Sequence, residues 1–553
     1  MKFAKSWKNG GIASKRPMRS HRSIARAVSV SCLAASSTGC GDPPGQTEPR
    51  VASRDLPEMI EEAVERGDRE IRIPPGRYYV QPKNGTHIRL EGVENFTIDA
   101  TGVEMVCSET TRAILIEDCE NVAIRGLTID YDPLPFTQGE IVEISEDRKS
   151  HVIRIQEGFP PAESAYVFKH LIFTPEGELR FGHYYRMEVE ALADNRLRIH
   201  GLHPRKDGGE RIGDIVVISS EALVGRYDPH AVHLYESDDT VLEDMTIYAS
   251  PCFGFFEEHS SGSVYRNCVI DRREGRLLSL NADAFHSKFA RTGPRIENCR
   301  AFWMGDDGIN ICGSYHLVTG SEGPTFRVLA KRSLDIEAGD PVQLLAADGS
   351  RLPPGKVVSV DRIGGRTEAD AEKLKDLDLL PWVAALLDDA YEIRLEEPVD
   401  LEFGSVIGSL NRMGNGFSIR DSEFGNIRSR GILVKAGDGV IADNTVVNCH
   451  LQGIKISPEI LWLESGTSRN LIVKGNEIIA SKAESILVDT VGKATIHEDI
   501  DIVDNRIRSD SFPLIRIRGL NGGRLQGNEL EDSEGRRAPG AAVSIEHSKN
   551  IVR

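Results

Sequence analysis

The sequence predicts an all-β chain wound as a right-handed parallel β-helix, and three observations predict it. Short apolar-alternating segments ending in Asn or Asp recur, among them Val264-Tyr-Arg-Asn267, Ile296-Glu-Asn298, Phe417-Ser-Ile-Arg-Asp421, Val440-Ile-Ala-Asp-Asn444, Leu471-Ile-Val-Lys-Gly-Asn476, Ile502-Val-Asp-Asn505 and Leu525-Gln-Gly-Asn528. The intervals from Asp244 to Asn267, Asp421 to Asn444 and Asn505 to Asn528 are identical, 23 positions in each case. A strand of ~5 residues with a polar turn, three times over, fills one such period.

A coil of this kind cannot bury its own apolar face, so neighbours stack at ~4.8 Å and enclose one continuous apolar column. Asn suits the turns because it tolerates left-handed backbone and hydrogen-bonds to the Asn one coil away. The open end needs a cover. Asp55-Leu-Pro-Glu58, an N-cap residue with an acid three on, predicts a helix over 59–66, followed by a strand over 70–74.

The period is lost twice. Between Ile129 and Leu234, and again from Tyr315 to Asn411, short alternating strands replace it, with a helix expected over 368–376 in the second stretch. Both stretches read as small antiparallel β-barrel domains inserted at coil turns. The expected organisation is therefore a signal over 1–39, β-helix with helical cap over 50–130, a first inserted barrel over 131–226, β-helix over 227–314, a second inserted barrel over 315–411 and β-helix over 412–553.

The N-terminus reads as an export signal. Residues 1–39 hold eight Lys/Arg and no Asp/Glu, an apolar run spans Ala27 to Ala35, and Ser37-Thr-Gly-Cys40 follows. Gly39-Cys40 resembles a bacterial lipobox, so Cys40 is the expected lipidation site, and the expected location is periplasmic or cell-surface, as a lipoprotein attached to the membrane through that lipid. Removing residues 1–39 would take the formal charge from −18 to −26. So acidic a chain repels phosphate backbones, which excludes nucleic acid as a partner. Of the nine cysteines, Cys268, Cys299 and Cys449 each follow a turn Asn, a place that points a small residue inward, and they are expected as buried thiols. No Cys/His spacing reads as a zinc site, and neither a metal nor a cofactor is expected. A homodimer is compatible with the sequence.

Chemistry concentrates in two acidic motifs, Asn281-Ala-Asp283-Ala-Phe-His286 and Gly305-Asp306-Asp307-Gly308. Asp283 and Asp306 are separated by the same interval as the turns, so one coil would stack them with Asp307 adjoining. The step from Asn267 to Asn298 is 31, and an eight-residue loop at Asp271-Arg-Arg-Glu-Gly-Arg accounts for the excess. Both acids of the pair can serve one site only if the chain bends at Gly305 and Gly308. Three crowded carboxylates cannot all ionise freely, so one should keep its proton to neutral pH while an ionised neighbour activates water, which is how inverting glycosidases work. A calcium site or a ladder of turn-capping Asp is the structural alternative. Around the groove, Trp303 offers a ring for a sugar's apolar face. Glu257, His259 and His286 are candidates for binding hydroxyls, as are Lys435, Arg226, Asp228 and His230.

Several motifs together resemble a known family. Asn281-Ala-Asp283 and Gly305-Asp306-Asp307-Gly308 are similar to the motifs of β-helical inverting polygalacturonases, whose fold is pectate-lyase-like. With Tyr131-Asp-Pro-Leu-Pro-Phe-Thr-Gln-Gly139, Gly254-Phe-Phe-Glu-Glu-His259, Gly305-Asp-Asp-Gly-Ile-Asn310 and Gly431-Ile-Leu-Val-Lys-Ala-Gly-Asp-Gly439, the chain more closely resembles glycoside hydrolase family 110. These α-1,3-galactosidases remove terminal galactose, including from blood-group B glycans. The resemblance implies metal-independent hydrolysis with inversion, on a glycan with terminal α-galactose, with Asp306 as general acid and Asp283 with Asp307 as the base pair for water. The polygalacturonase elements that hold a carboxylated sugar have no counterpart, which favours neutral galactose. Another β-helical polysaccharide hydrolase or lyase, and a non-catalytic glycan-binding β-helix, are the alternatives.

Overall fold

The computed structural model describes residues 55–553 apart from 165, 204–208 and 221–228. The expected signal, Cys40, Arg226 and Asp228 lie outside the described residues. The chain is a right-handed parallel β-helix. Three strand columns run its length. One aligns Val241, Val264, Arg295, Ser418 and Val440. A second aligns Thr246, Val269, Arg300, Glu423 and Thr445. The third aligns Val232, Phe255, Phe285, Ile309, Ile432 and Ile454. Their inward side chains form one buried apolar column from Leu56 to Ala542.

Helix Leu56–Glu65 covers the N-terminal end with Leu56, Met59, Ile60 and Ala63 turned onto the column. It begins earlier than expected, and Asp55 makes no side-chain cap bond; Pro57, whose missing N–H costs nothing in a first turn, starts the helix instead.

The polar turns form two ladders where the sequence suggested one. Asp244, Asn267, Asn298, Asp421, Asp443 and Asp504 occupy a left-handed column at φ near 50–60°. The next residue in each coil points inward, and there Cys268 and Cys299 give way to Asn444, Asn476, Asn505 and Asn528, whose amides bond in series at 2.9–3.0 Å. The interval from Asp421 to Asn444 therefore crosses columns, and the true step there is 22, Ser418 opposite Val440 and Asn426 bonded to Asn448. All seven described cysteines are buried and free.

The second insertion is a closed barrel of six strands between His316–Glu322 and Val406–Ser409, with helix Glu368–Leu374 started by a capping box of Thr367 and Asp370. The first corrects the barrel expectation. It is a seven-stranded antiparallel sheet, Phe136–Ile144 to Ile215–Ser219, with its own core, and Leu179–Tyr185 and Glu188–Leu192 end it without pairing to each other among the described residues. The first insertion leaves and re-enters the solenoid before third-column strands, the second leaves just after Ile309–Ser314, and the outward face of that column is the floor between them.

Candidate active site

The two acidic motifs lie in successive turns before Phe285–Lys288 and Ile309–Ser314. Those strands advance in a step of 24, Phe285 opposite Ile309, so Asp283 stacks on Asp307 rather than on Asp306 as the turn interval suggested. The Asp307 N–H donates to Asp283 Oδ1 at 3.1 Å, and the Ala284 N–H donates to the Asp307 carbonyl at 3.1 Å. One oxygen from each of Asp283, Asp306 and Asp307 lies within 4.8 Å of the others. That is closer than the ~6.5–9.5 Å between the carboxyl groups of a typical inverting pair.

Gly305 and Gly308 do not act through left-handed backbone. A Cβ on Gly305 would lie 2.6 Å from the Asn281 carbonyl oxygen, and one on Gly308 2.4 Å from that of Gly431. Close approach of adjoining coils is what demands glycine here. Glu257 lies opposite Ser287, a step of 30, which places the extra loop at 271–277. Arg273 and Arg276 of that loop anchor it to Asp130 at 2.6–3.0 Å.

Each acid has a different electrostatic setting. Asp306 is the accessible one, its side chain 34% exposed. Arg428 Nη1 donates to it at 3.1 Å and Lys169 Nζ stands 3.6 Å away. Burial pushes its pKa up, but Arg428, Lys169 and Arg430 outweigh burial and hold it below the usual value. Asp307 is buried, with its Oδ1 accepting the Arg430 N–H at 2.8 Å and Oδ2 paired to that guanidinium at 3.1 Å. Burial, with Asp283 and Asp306 alongside, still pushes it up to about 7. Asp283 is raised, first by burial, against the hydrogen bond from His286 at 2.8 Å. Burial disfavours charge on His286, yet the Asp283 carboxylate wins and raises it to about 10. The three carboxyls thus influence one another, and burial keeps Asp307 neutral up to about 7.

Lys169, Arg428 and Arg430 were not visible as site residues in the sequence. Lys169 comes from strand Lys169–Phe173 of the first insertion, and its Nζ also donates to the carbonyls of Asn281 and Gly305 at 2.7 and 2.9 Å. It ties both acidic turns to the inserted sheet. Arg428 and Arg430 sit one coil beyond Asp306 and Asp307, but 122 and 123 residues away in sequence because the second insertion intervenes.

The other expected residues divide. His286 joins the cluster through Asp283, with its Nε2 3.9 Å from Cys312 Sγ. Trp303 lies in the turn at φ 68°, and Arg272 covers one ring face at 3.5 Å. Lys435 has no exposed surface; its Nζ donates to Asn310 Oδ1 at 2.8 Å and pairs with Glu464 at 2.9 Å, so it positions neighbours instead of meeting a sugar. His259 lies at the far end of its strand in a left-handed turn, stacked on Phe289 at 4.5 Å. His230 is buried, stacked on Phe253 at 4.8 Å, and that ring in turn stacks on His286 at 4.4 Å.

Glu257 is the clearest correction, because strand alternation turns it inward with Phe255 while Phe256 faces the groove. It accepts hydrogen bonds from Ser287 and, at 3.2 Å, from Tyr265. Burial raises its pKa to about 7. The folded chain then holds a proton that the unfolded chain releases near 4.5, so stability is greatest below 4.5 and declines as pH rises towards 7. Glu257→Gln should remove this loss, worth about 3 kcal/mol at neutral pH. Thermal unfolding from pH 4 to 8 checks it: the variant's Tm should fall less than the wild type's across that range.

A metal ion does not suit either cluster of potential ligands. Asp283, Asp306 and Asp307 already face Lys169, Arg428 and Arg430, and the His286, Cys312 and Glu464 group has Lys435 on its carboxylate. Cations compensate these carboxylates, and a hard divalent ion would have to displace them.

Fold and site together define a parallel β-helix with a cation-compensated carboxylate trio in consecutive turns, Asp283 and Asp307 buried and Asp306 accessible. No family model matches the chain. Along most of its length it is related to proteins named α-1,3-galactosidase. α-1,3-Galactosidase B of Bacteroides thetaiotaomicron is 24% identical over 493 residues, covering 82% of this chain and 76% of the relative. α-1,3-Galactosidase A of Streptomyces avermitilis is 22% identical over 492 residues, covering 81% and 76%. Among solved structures, endo-xylogalacturonan hydrolase from Aspergillus tubingensis aligns over 92% of this chain and 97% of its own, at 9% identity and a TM-score of 0.42.

Proposed function

We propose that this protein is an exo-acting α-1,3-galactosidase that hydrolyses terminal α-1,3-linked galactose from glycans, blood-group-B-like branched substrates and linear ones included, with inversion. The observation that carries the reading is the carboxylate trio in the turns before two third-column strands, with an inserted domain before and after that stretch of the column, in a chain whose relatives bear that name. Asp306, the accessible acid, protonates the leaving oxygen; Asp283 and Asp307 orient and deprotonate water. Neither metal nor cofactor enters this reaction. The spacing of the acids does not select inversion, which follows from the resemblance alone. A chain exported and lipidated at Cys40 would meet such glycans outside the cell.

The test is an anomer-resolved NMR time course on an α-1,3-digalactoside and a fucosylated branched trisaccharide, with and without EDTA. Early β-galactose, unaffected by chelator, is expected. Initial α-galactose would remove inversion, and no galactose from either substrate would remove the galactosidase reading.

A further inference from the structure

Two of the chain's tryptophans meet at the surface. Trp382, on helix Pro381–Ala385 of the second insertion, and Trp462, on the single turn Ile460–Trp462, are 44% and 38% exposed, with ring centroids 5.1 Å apart at 64°. Packing two aromatic rings usually removes both from water. Here two separate elements bring rings together and leave them open, which forgoes burial worth roughly 25 cal/mol per Å².

The Trp462 turn is fixed to residues beside the acids. Glu459 and Glu464 exchange backbone hydrogen bonds, each 3.1 Å, at the base of a six-residue excursion. Both base carboxylates grip the floor: Glu459 pairs with Arg430 at 3.0 Å and Lys455 at 2.8 Å, and Glu464 with Lys435 at 2.9 Å. Lys331 of the second insertion donates to the Trp462 carbonyl. Arg430 is the residue that holds Asp307, so an unbroken chain of charge contacts runs from the acids through Arg430 and Glu459 to the tryptophan turn.

We propose that Trp382 and Trp462 form a stacking platform for the part of the glycan left after galactose is removed, a neutral oligosaccharide whose pyranose C–H faces lie on the indole rings. This rests on the galactosidase reading for the direction of the substrate: with the terminal sugar at the acids, the remaining chain extends away from them, and the tryptophan turn is joined to Asp307 through Arg430 and Glu459. An aromatic face suits a neutral sugar, offering a flat apolar surface with little conformational entropy to lose. Pinning the turn at Glu459, Glu464 and Lys331 pre-organises it, which lowers the ordering cost of binding.

Calorimetric titration of the Asp306→Asn protein with α-1,3-galactosyl-lactose, and of the wild type with lactose, tests the proposal. Trp462→Ala and Trp382→Ala should each weaken both affinities about tenfold, which is about 1.4 kcal/mol, and Trp462→Phe, which keeps a ring in place, should restore most of the loss. Unchanged affinities in both alanine variants, or no binding of either sugar by the parent proteins, would overturn it. Binding that depends on the tryptophans, from a protein that fails to hydrolyse the trisaccharide, would uphold the platform and remove the galactosidase reading instead.

Discussion

Asp306→Asn is expected to lower kcat on an α-1,3-galactoside by about 10²- to 10⁴-fold, the range that a positioned general acid contributes. Folding should be less affected, because Lys169 keeps its two carbonyl acceptors and Arg428 its bond to the Gly182 carbonyl when the charge is removed. The same cluster sets the pH dependence. In the free protein the cations beside Asp306 favour its ionised form, and the proton retained towards neutral pH resides on Asp307, raised to about 7. Acid catalysis by Asp306 requires that proton to pass from Asp307 to Asp306, which also leaves Asp307 ionised to accept the proton of water, so kcat/KM should fall as pH rises through about 7. Asp307→Asn removes the store and should shift this alkaline limb as well as depress the rate. Lys169→Met takes a cation from Asp306 and should move the limb upward. A limb that ignores both substitutions would place the titrating group outside the trio.

The solenoid was legible because its constraint is repeated in every coil: an inward apolar residue, a left-handed turn, a stacking amide. Asp283 and the Asp306-Asp307 pair were legible for the same reason, as acids in successive turns. What a single turn interval could not resolve was the local step. Coils here advance by 22 between Asn426 and Asn448, by 23 between Asp244 and Asn267, and by 24 between Asp283 and Asp307. A difference of one decides whether Asp306 or Asp307 faces Asp283. The cations were hidden by topology. Lys169 arrives on an inserted sheet with its own register, and Arg428 and Arg430 become neighbours of the acids only when the second insertion is subtracted. Glu257 was misplaced because a carboxylate in a strand reads as outward on polarity, whereas alternation with Phe255 turns it inside. Lys435 had the opposite history: its strand position is outward, but the Glu464 segment pairs antiparallel with Gly313 and Ser314 and covers it.

That cover makes Lys435 a position where a single substitution should cost much stability. Its ammonium, fully buried, is the nearest cation to Glu464, and although burial disfavours its charge, Glu464 and Glu459 outweigh burial and raise its pKa. Glu464 in turn is held well below the usual carboxylate value, against burial, by Lys435, Lys331 and His286. Removing one member of such a pair leaves the other buried without its main partner, which costs about 3–5 kcal/mol, while replacing both with apolar or neutral groups costs far less. Lys435→Met should therefore lower the Tm substantially, and Lys435→Met combined with Glu464→Gln should recover much of it. Acid should mimic the single loss. Because the folded pKa of Glu464 is depressed, its contribution is complete above its ordinary value of 4.5 and is lost as pH falls below that value towards the folded one. Wild type and Lys435→Met should thus converge in stability in strong acid and diverge near neutrality, and parallel Tm curves across that range would show that Lys435 does not act through the Glu464 charge.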